Sequence, residues 1–325
     1  MEIGSFIELE FRKGHEYYTG NNVARLNSGR AGIYNAVRIL GCDTVYLPYY
    51  QCKTVQEFLN KKKLRVEYYG IDSEFNPTLT SSRGNAAIVL VNYFGMMSNN
   101  RMSELAEKYE NVIIDNSQAF FAKPIEECMN VYSARKFIGV PDGAYVIGNN
   151  ATKHIDEYDQ DYSSDTSSFL LQRIEYGCEG KTYEARMVNE HRIDAADIKK
   201  MSKLTHAILD GTNYDFIVNK RKENYETACH LFDGINMLNA RMCYDNDCVP
   251  MVYPLVVEND GILPKLLENK IFQGHWWSYL LNEVKRDSFE YWLSRYIIPI
   301  TIDQRYGKEE LKLTFKNIKD FLDGE

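Results

Sequence analysis

The segment Ala86–Val91 is a continuous run of six apolar residues, and it limits the possible folds more than any other feature. Such a run is typical of a parallel strand that is covered on both faces. A helical pattern over residues 103–109 separates it from a second buried strand, predicted over residues 112–114. Strands and helices that alternate at this spacing predict an α/β domain with a mostly parallel sheet. In open sheets of this kind, a binding site lies beyond the carboxyl ends of the strands.

The same alternation continues through the first half of the chain, and the pattern changes after residue 231. Residues 158–165 are acidic and polar, and we interpret them as a surface loop. We predict a large α/β domain over residues 1–215 and a smaller C-terminal α+β domain over residues 216–325. Further helices are predicted over residues 35–40, 54–63, 198–231 (with an interruption at Gly211), 261–269 and 308–322, and further strands over 44–48, 64–69, 250–257 and 296–300.

Composition excludes several classes of function. The formal net charge of -8 gives no support for a nucleic-acid surface, which needs basic patches. No run approaches 18 apolar residues, and the start of the chain lacks a signal core, so we expect a cytosolic protein without membrane insertion. The seven cysteines form no CxxC pair, so neither a disulfide framework nor a metal site is predicted. Most of them are interpreted as small buried side chains.

The motif that suggests a chemistry surrounds Lys136. The buried strand over residues 112–114 is followed directly by Asp115, and Lys136 comes later in a Ser-x-x-Lys turn that begins at Ser133. This is the layout that holds pyridoxal phosphate, with an imine on the lysine and a carboxylate on the pyridine nitrogen. Arg135 would favour the neutral amine of its neighbour. The alternatives are a basic surface turn at Lys136 and an Asx turn at Asp115.

Other polar residues complete this hypothesis. Gln118 could bond the phenolic oxygen of the cofactor ring, and Ser133 could donate to its phosphate. Ser28, Gly29 and Arg30 precede the first clear helix and suit an anion, since free N–H groups, a hydroxyl and a guanidinium meet there. A plain N-cap by Ser28 is compatible with that role. The loop that contains His275 and Trp276 is either substrate-facing or locally packed.

Four stretches of the chain match a known family in its own order. The chain resembles the DegT/DnrJ/EryC1/StrS group of fold-type-I pyridoxal-phosphate enzymes, the sugar aminotransferases. The residues that carry the resemblance are SGRA at 28–31, VYLP at 45–48, VNYFG at 91–95 and IDNSQA at 114–119, of which the last is the strongest match.

The resemblance implies an aminotransferase with pyridoxal 5′-phosphate that acts on a keto-sugar attached to a nucleotide. It implies a mostly parallel large-domain sheet flanked by helices, a smaller C-terminal domain, and a homodimer in which the partner subunit completes each site. The resemblance also implies that Lys136 is the catalytic residue. The implied cofactor-binding residues are Ser28, Gly29, Arg30, Tyr50, Cys52, Asp115, Gln118, Ser133 and Lys136, and the implied substrate-binding residues are Asn92, Tyr93, His275 and Trp276.

The chain also departs from the family pattern. Arg30 replaces the phosphate-binding threonine, and Cys52 stands where an aromatic residue stacks on the ring, with Tyr49 or Tyr50 as substitutes. The stretch that lends an asparagine to the neighbouring subunit reads Asp-Ile-Lys-Lys at 197–200, so Lys199, Lys200 or Arg192 would have to reach across. Two alternatives follow: a lyase or dehydratase on the same cofactor, or a catalytically inactive relative.

Overall fold

A mixed sheet of seven strands forms the centre of the computed structural model, which describes residues 3–81 and 84–324. The strands are β1 (Val23–Leu26), β2 (Thr44–Pro48), β3 (Arg65–Tyr69), β4 (Ala86–Val91), β5 (Val112–Asn116), β6 (Met129–Ser133) and β7 (Ala144–Ile147). Their order is β1-β7-β6-β5-β4-β2-β3. β7 runs antiparallel to β1 and β6, whereas the pairs from β6 across to β3 are parallel. The predicted mostly parallel sheet is confirmed.

The three central strands are buried along their whole length. Every residue of β4, β5 and β6 is buried, because helices cover both faces of the sheet. This explains the uninterrupted apolar run in β4, since neither face of that strand can hold an unpaired polar side chain without cost. β5 is two residues longer than predicted and includes Asp115 and Asn116.

Ten α-helices lie among the described residues. The predicted helix over residues 35–40 is the second half of a helix that begins at Gly29 and is capped by Ser28. Gly41 ends it with a φ of 70°, a conformation that glycine adopts without strain. The helices are α1 (Gly29–Leu40), α2 (Lys53–Lys61), α3 (Asn99–Ala106), α4 (Ser168–Tyr176), α5 (Lys181–Ala195), α6 (Lys203–Asp210), α7 (Tyr214–Phe232), α8 (Ile262–Glu268), α9 (Phe289–Tyr296) and α10 (Lys308–Asp323).

A smaller unit lies at the C-terminal end of the chain. Its strands β8 (Val252–Val256) and β9 (Ile297–Thr301) pair antiparallel, as the α+β pattern predicted. Side chains of this pair share an apolar cluster with α7, α8 and α10. The predicted limit after residue 215 falls in the first turn of α7, which is one continuous helix. The domain limits stay a prediction, and a limit before Tyr214 fits the helix better.

Between residues 158 and 231 the structure corrects two predictions and adds two helices that the sequence did not predict. The segment over residues 158–165 is only partly a surface loop, because Tyr158 and Asp161 are buried, the latter beside Arg192 at 2.8 Å. The predicted interruption at Gly211 separates α6 from α7, but the helical segment starts at Lys203 and not at Ile198. The sequence did not predict α4 or α5, since these helices bury few apolar residues and show little periodicity.

The described residues were compared with the predictions about disulfides, metal sites and membrane insertion. Five of the seven cysteines are buried, and all seven are free thiols. In residues 3–81 and 84–324, no group of three or more His, Cys, Asp and Glu side chains could hold a metal ion. No helix in the same ranges has both the length and the apolar composition needed to cross a membrane. The cytosolic location stays a prediction.

Candidate functional site

The carboxyl ends of β4, β5 and β6 bring the predicted site residues to one edge of the sheet. Val91 is paired with Asp115, and Asn116 with Tyr132, so Asn92 and Ser133 lie at the ends of the strands that flank Asp115. The start of α1 lies over the same edge. A Cβ on Gly29 would be 3.0 Å from Ser117 Oγ and 3.9 Å from Ser133 Cβ. Residues far apart in the sequence therefore form one site.

Asp115 is a buried carboxylate, with 5% of its surface exposed. Its Oδ1 accepts from the backbone N–H of Ser117 at 2.9 Å, which is the Asx turn that the sequence allowed. Its Oδ2 accepts from Gln51 Nε2 at 3.0 Å. Because each carboxylate oxygen can accept more than one hydrogen bond, the turn leaves Asp115 able to accept from a ligand as well.

Gln118 is held by the turn that follows β4. Its Oε1 accepts from the backbone N–H of Phe94 at 2.8 Å, which leaves the amide nitrogen as the free end of the side chain. Gly95 makes this approach possible, because a Cβ there would be 2.4 Å from the carbonyl oxygen of Gln118. The stretches VNYFG at 91–95 and IDNSQA at 114–119 therefore pack directly against each other.

Lys136 ends a 3₁₀ turn, Ala134–Lys136, that directly follows β6. Its side chain is exposed, and its ammonium group forms no hydrogen bond or ion pair with any described residue. Arg135 does not act as the sequence predicted, since its guanidinium forms an ion pair with Glu190 of α5. Glu190 thus balances the positive charge that Arg135 would otherwise add near the lysine.

Three hydroxyl groups surround the start of α1. Ser28 caps the helix, its Oγ accepting from Ala31 N at 3.4 Å, while Ser117 and Ser133 lie beside Gly29. Ser28 and Ser133 are both buried. A helix N-terminus with hydroxyls around it is a favourable place for a phosphate, because N–H groups and O–H groups can donate together. Ser28, Gly29 and Ser133 thus lie close together, and their role in holding a phosphate stays a prediction.

Arg30 makes contacts that the sequence did not suggest. It is 7% exposed, and its guanidinium donates to Asp194 Oδ1 at 2.7 Å and to the carbonyl oxygen of Ile193. Both acceptors lie in the last turn of α5, where a cation is favourable. The Nε atom is buried without a partner in the described part of the chain. These contacts favour a tether between α1 and α5, and the phosphate role stays a prediction.

Arg30→Ala is expected to lower the melting temperature and to change cofactor affinity little. Loss of a buried hydrogen bond to a charged group costs roughly 1–3 kcal/mol, toward the lower end here because Asp194 is half exposed. Thermal unfolding and a titration with pyridoxal phosphate would measure both quantities. A large fall in affinity at an unchanged melting temperature would instead support the phosphate role.

The two residues predicted to contact the cofactor ring lie in different surroundings. Cys52 precedes α2, and its Sγ is 3.2 Å from Thr54 Oγ1. Tyr50 is 0% exposed and packs edge-on against Trp277, with ring centroids 4.4 Å apart. Tyr49 is partly exposed and stacks on Tyr68 instead. Tyr50 is therefore a core residue here, and a ring-stacking role for either residue stays a prediction.

The predicted substrate residues are mostly engaged within the protein. Asn92 bonds Met97 and Asn116 through its amide, and the Tyr93 hydroxyl donates to the carbonyl oxygen of Tyr50 at 3.0 Å. His275 Nε2 lies 2.7 Å from the carbonyl oxygen of Ser294. Trp276 stacks on Phe94 with centroids 5.7 Å apart. The contacts of this loop favour local packing, the second of the two interpretations, and a substrate role stays a prediction.

Sequence reasoning missed Gln51 and Tyr279. Gln51 donates to Asp115, and its own Oε1 is buried without a partner among the described residues. The Tyr279 hydroxyl donates to the carbonyl oxygen of Gln51. Both residues, with Cys52 and Glu283, line a cavity of about 90 Å³. A polar residue three positions after the predicted strand 44–48 was the available signal for Gln51, whereas Tyr279 had none.

No protein-family model and no curated protein matches the sequence. Solved structures do match. A DegT DnrJ EryC1 StrS aminotransferase from Brucella abortus has a TM-score of 0.62 at 14% identity, over 93% of this chain and 86% of that one. The sugar aminotransferase CalS13 from Micromonospora echinospora has 0.61 at 14%, over 92% and 87%. NtdA from Bacillus subtilis, solved with bound cofactor PMP, has 0.64 at 13%, over 93% and 73%.

The chain has the fold of these aminotransferases. The predicted fold class, a mostly parallel sheet flanked by helices with a smaller C-terminal α+β unit, is therefore confirmed by both the topology and the comparison. At such low identity the likeness establishes the fold alone, because one fold supports many activities. The function has to be argued from the site.

Proposed function

We propose that the protein is a pyridoxal-phosphate-dependent aminotransferase whose acceptor is a ketone, specifically a keto-sugar attached to a nucleotide. The observation that supports this most is the position of the buried Asp115 beside β6, from which the Lys136 turn begins. Two proteins of the same fold agree with it, since NtdA was solved with PMP and CalS13 is a sugar aminotransferase.

The residues at this edge of the sheet suit the cofactor. Asp115 offers a buried carboxylate to a protonated pyridine nitrogen, and Gln118 offers its amide nitrogen to the phenolic oxygen. Ser28 and Ser133, at the start of α1, suit the phosphate. When bound, pyridoxal phosphate supplies an electron sink for the carbanion that forms as the amino donor loses its Cα proton.

Lys136 has two roles in this proposal. With the cofactor bound, its amine would condense with the aldehyde carbon with loss of water, and once an amino donor had replaced it there, the freed Nζ would take the donor's Cα proton as a general base. Asp115 meanwhile keeps the pyridine nitrogen protonated. The second half-reaction reverses these steps on the ketone, so the kinetics are ping-pong.

Absorbance of the protein mixed with pyridoxal phosphate tests the proposal. An aminotransferase gives a band from the lysine-bound cofactor that shifts when an amino donor is added, and it forms an aminated sugar. A lyase or dehydratase on the same cofactor would shift the band without transferring nitrogen. No band, or a band that no amino donor shifts, would support a catalytically inactive relative. The presence of Cys52 at the position where an aromatic residue stacks is the specific reason to consider that alternative.

We further propose that the active form is a homodimer. The helices α4 and α5 expose large apolar side chains, including Ile174 at 83%, which a contact with a second copy would cover. Of the cations proposed to reach the partner, Arg192 is held by Asp161 at 2.8 Å in its own chain. Lys199 and Lys200 form longer ion pairs, each 3.8 Å from a carboxylate oxygen, and their side chains are more exposed than that of Arg192. They are therefore better suited to reach across.

Sedimentation of the cofactor-loaded protein is expected to give the mass of a dimer. Ile174→Asp should shift the population toward monomer, because a charge at a buried contact has no partner. Leu313→Asp is the matched control, since Leu313 is exposed on α10 and belongs to neither α4 nor α5. An active monomer at assay concentration would contradict the proposal.

A further inference from the structure

Two residues of the C-terminal unit hold the residue that follows Lys136. The Phe137 ring is buried, and the guanidinium carbon of Arg221 lies 4.5 Å from its centroid. The carbonyl oxygen of Phe137 accepts from Gln304 Nε2 at 2.9 Å. Arg221 lies in α7, and Gln304 lies just after β9. Both the side chain and the main chain of Phe137 are therefore held from outside its own segment.

Arg221 also orients Gln304. Its Nε donates to Gln304 Oε1 at 3.2 Å, which fixes the amide with its nitrogen toward Phe137. Its Nη1 donates to the carbonyl oxygens of Met251 at 2.9 Å and Pro250 at 3.3 Å. These bonds connect α7, the start of β8 and the segment after β9 to one turn.

The guanidinium of Arg221 is an unusual group for this position. It is 2% exposed, and burial lowers its pKa to about 10. No carboxylate of a described residue lies within ion-pair distance, and Arg305 forms a bidentate pair with the nearby Asp303 at 2.9 and 2.7 Å. A buried cation without an ion pair is costly, so apolar packing alone would be served better by an apolar residue.

Lys136 depends on its backbone for its direction, because its side chain has no polar partner among the described residues. The turn closes through Phe137 N to Ala134 O at 3.0 Å and Ile138 N to Ala134 O at 2.9 Å. A displacement of Phe137 would therefore redirect the Cα–Cβ bond of Lys136. The exposed amine forms no hydrogen bond or ion pair with a described residue that would oppose such a displacement.

We propose that Arg221 and Gln304 are positioning residues for Lys136, and that through them the C-terminal unit sets how readily Lys136 bonds its cofactor. The proposal rests on the function proposed above. It predicts that loss of the Gln304–Phe137 bond slows the reaction of Lys136 with pyridoxal phosphate while the fold persists. Misplacing a reacting group by a small distance costs up to about 100-fold in rate, so we expect a loss of about 10-fold to 100-fold.

The test uses the full chain freed of cofactor, with Gln304→Leu and Gln304→Glu compared with the wild type. Glutamate keeps the contact with Arg221 Nε, but when ionised it cannot donate to the Phe137 carbonyl. Both variants should therefore form the borohydride-trapped cofactor bond slowly, and the midpoint of the absorbance change with pH should move. Arg221→Lys should slow formation of the trapped cofactor bond less than Arg221→Met does. Arg295→Gln, which removes an exposed ion pair with Asp260, is the control.

The outcomes separate this proposal from the function on which it rests. Wild-type trapping rates and pH dependence in both Gln304 variants, with only the melting temperature lowered, would mean that the contact is structural and would overturn the proposal. A trapped adduct that mass spectrometry locates on another residue would overturn the assignment of Lys136 itself. Slow trapping with a melting temperature near that of the wild type supports the positioning role.

Discussion

Lys136→Ala is expected to abolish the borohydride-reducible bond between the protein and pyridoxal phosphate. The alanine side chain has no amine, and the turn Ala134–Lys136 places no other lysine at the end of β6. Loss of a positioned base also slows proton transfer by roughly 10²–10⁴-fold, so the aminated product should become undetectable or nearly so. Reduction with borohydride followed by peptide mass spectrometry, together with a turnover assay, measures both effects.

Lys136→Arg and Lys153→Ala are the matched controls for that substitution. The arginine variant keeps the positive charge but has no nucleophilic amine, so it should fail in the same way as alanine. Lys153 is exposed on the surface, and its replacement should change neither quantity. Because the Lys136 side chain is exposed and makes no polar contact with described residues, stability should be nearly unchanged. A reducible adduct in Lys136→Ala would show that the assignment is wrong.

Asp115→Asn is expected to weaken cofactor binding and to slow turnover while the fold persists. The amide can still accept from Ser117 N, as the carboxylate does at 2.9 Å, so the Asx turn should survive. What is lost is the charge that keeps the pyridine nitrogen protonated. A charge-assisted hydrogen bond at a buried site contributes roughly 1.5–3 kcal/mol, or about 10-fold to 100-fold in Kd.

Titration of the cofactor-free protein with pyridoxal phosphate, followed by a turnover assay, measures the effect of Asp115→Asn. Gln51→Leu is a useful comparison, because it removes the donor to Asp115 Oδ2 without changing the charge of the carboxylate. It should therefore affect binding less than Asp115→Asn. Asp165→Asn, on the surface, serves as the neutral control. Unchanged affinity and turnover in Asp115→Asn would refute the role of this residue.

The sequence predicted the elements whose residues have few alternatives. The apolar run Ala86–Val91 is typical of a strand with two covered faces, and Gly41 stops α1 because a left-handed φ suits glycine. Once the strands are parallel, their carboxyl ends share one edge, so a carboxylate after one strand and a lysine after the next are neighbours. The sequence placed Asp115 after its strand but did not predict β6, and the pairing of β5 with β6 brings Asp115 and Ser133 to the same edge.

The sequence did not predict contacts between side chains that lie far apart along the chain. Arg30 looked like a phosphate ligand, but an arginine donates to whichever acceptors packing brings near, and here these are in α5. Arg135 was expected to add charge near Lys136, and Glu190 balances it. The predicted roles of Asn92, Tyr93 and Trp276 met the same difficulty, since all three are engaged by neighbours from distant segments.

By itself, the sequence determined the α/β class, the position of Asp115 after its strand and the Ser-x-x-Lys turn that contains Lys136. These depend on local periodicity and on turn residues, which act over a few positions. Only the tertiary structure decided that Gln51 bonds Asp115 and that Arg221 and Gln304 hold Phe137. The physical reason is that a polar side chain has many equivalent partners in a chain of this length, and its choice is made by the packing of distant segments.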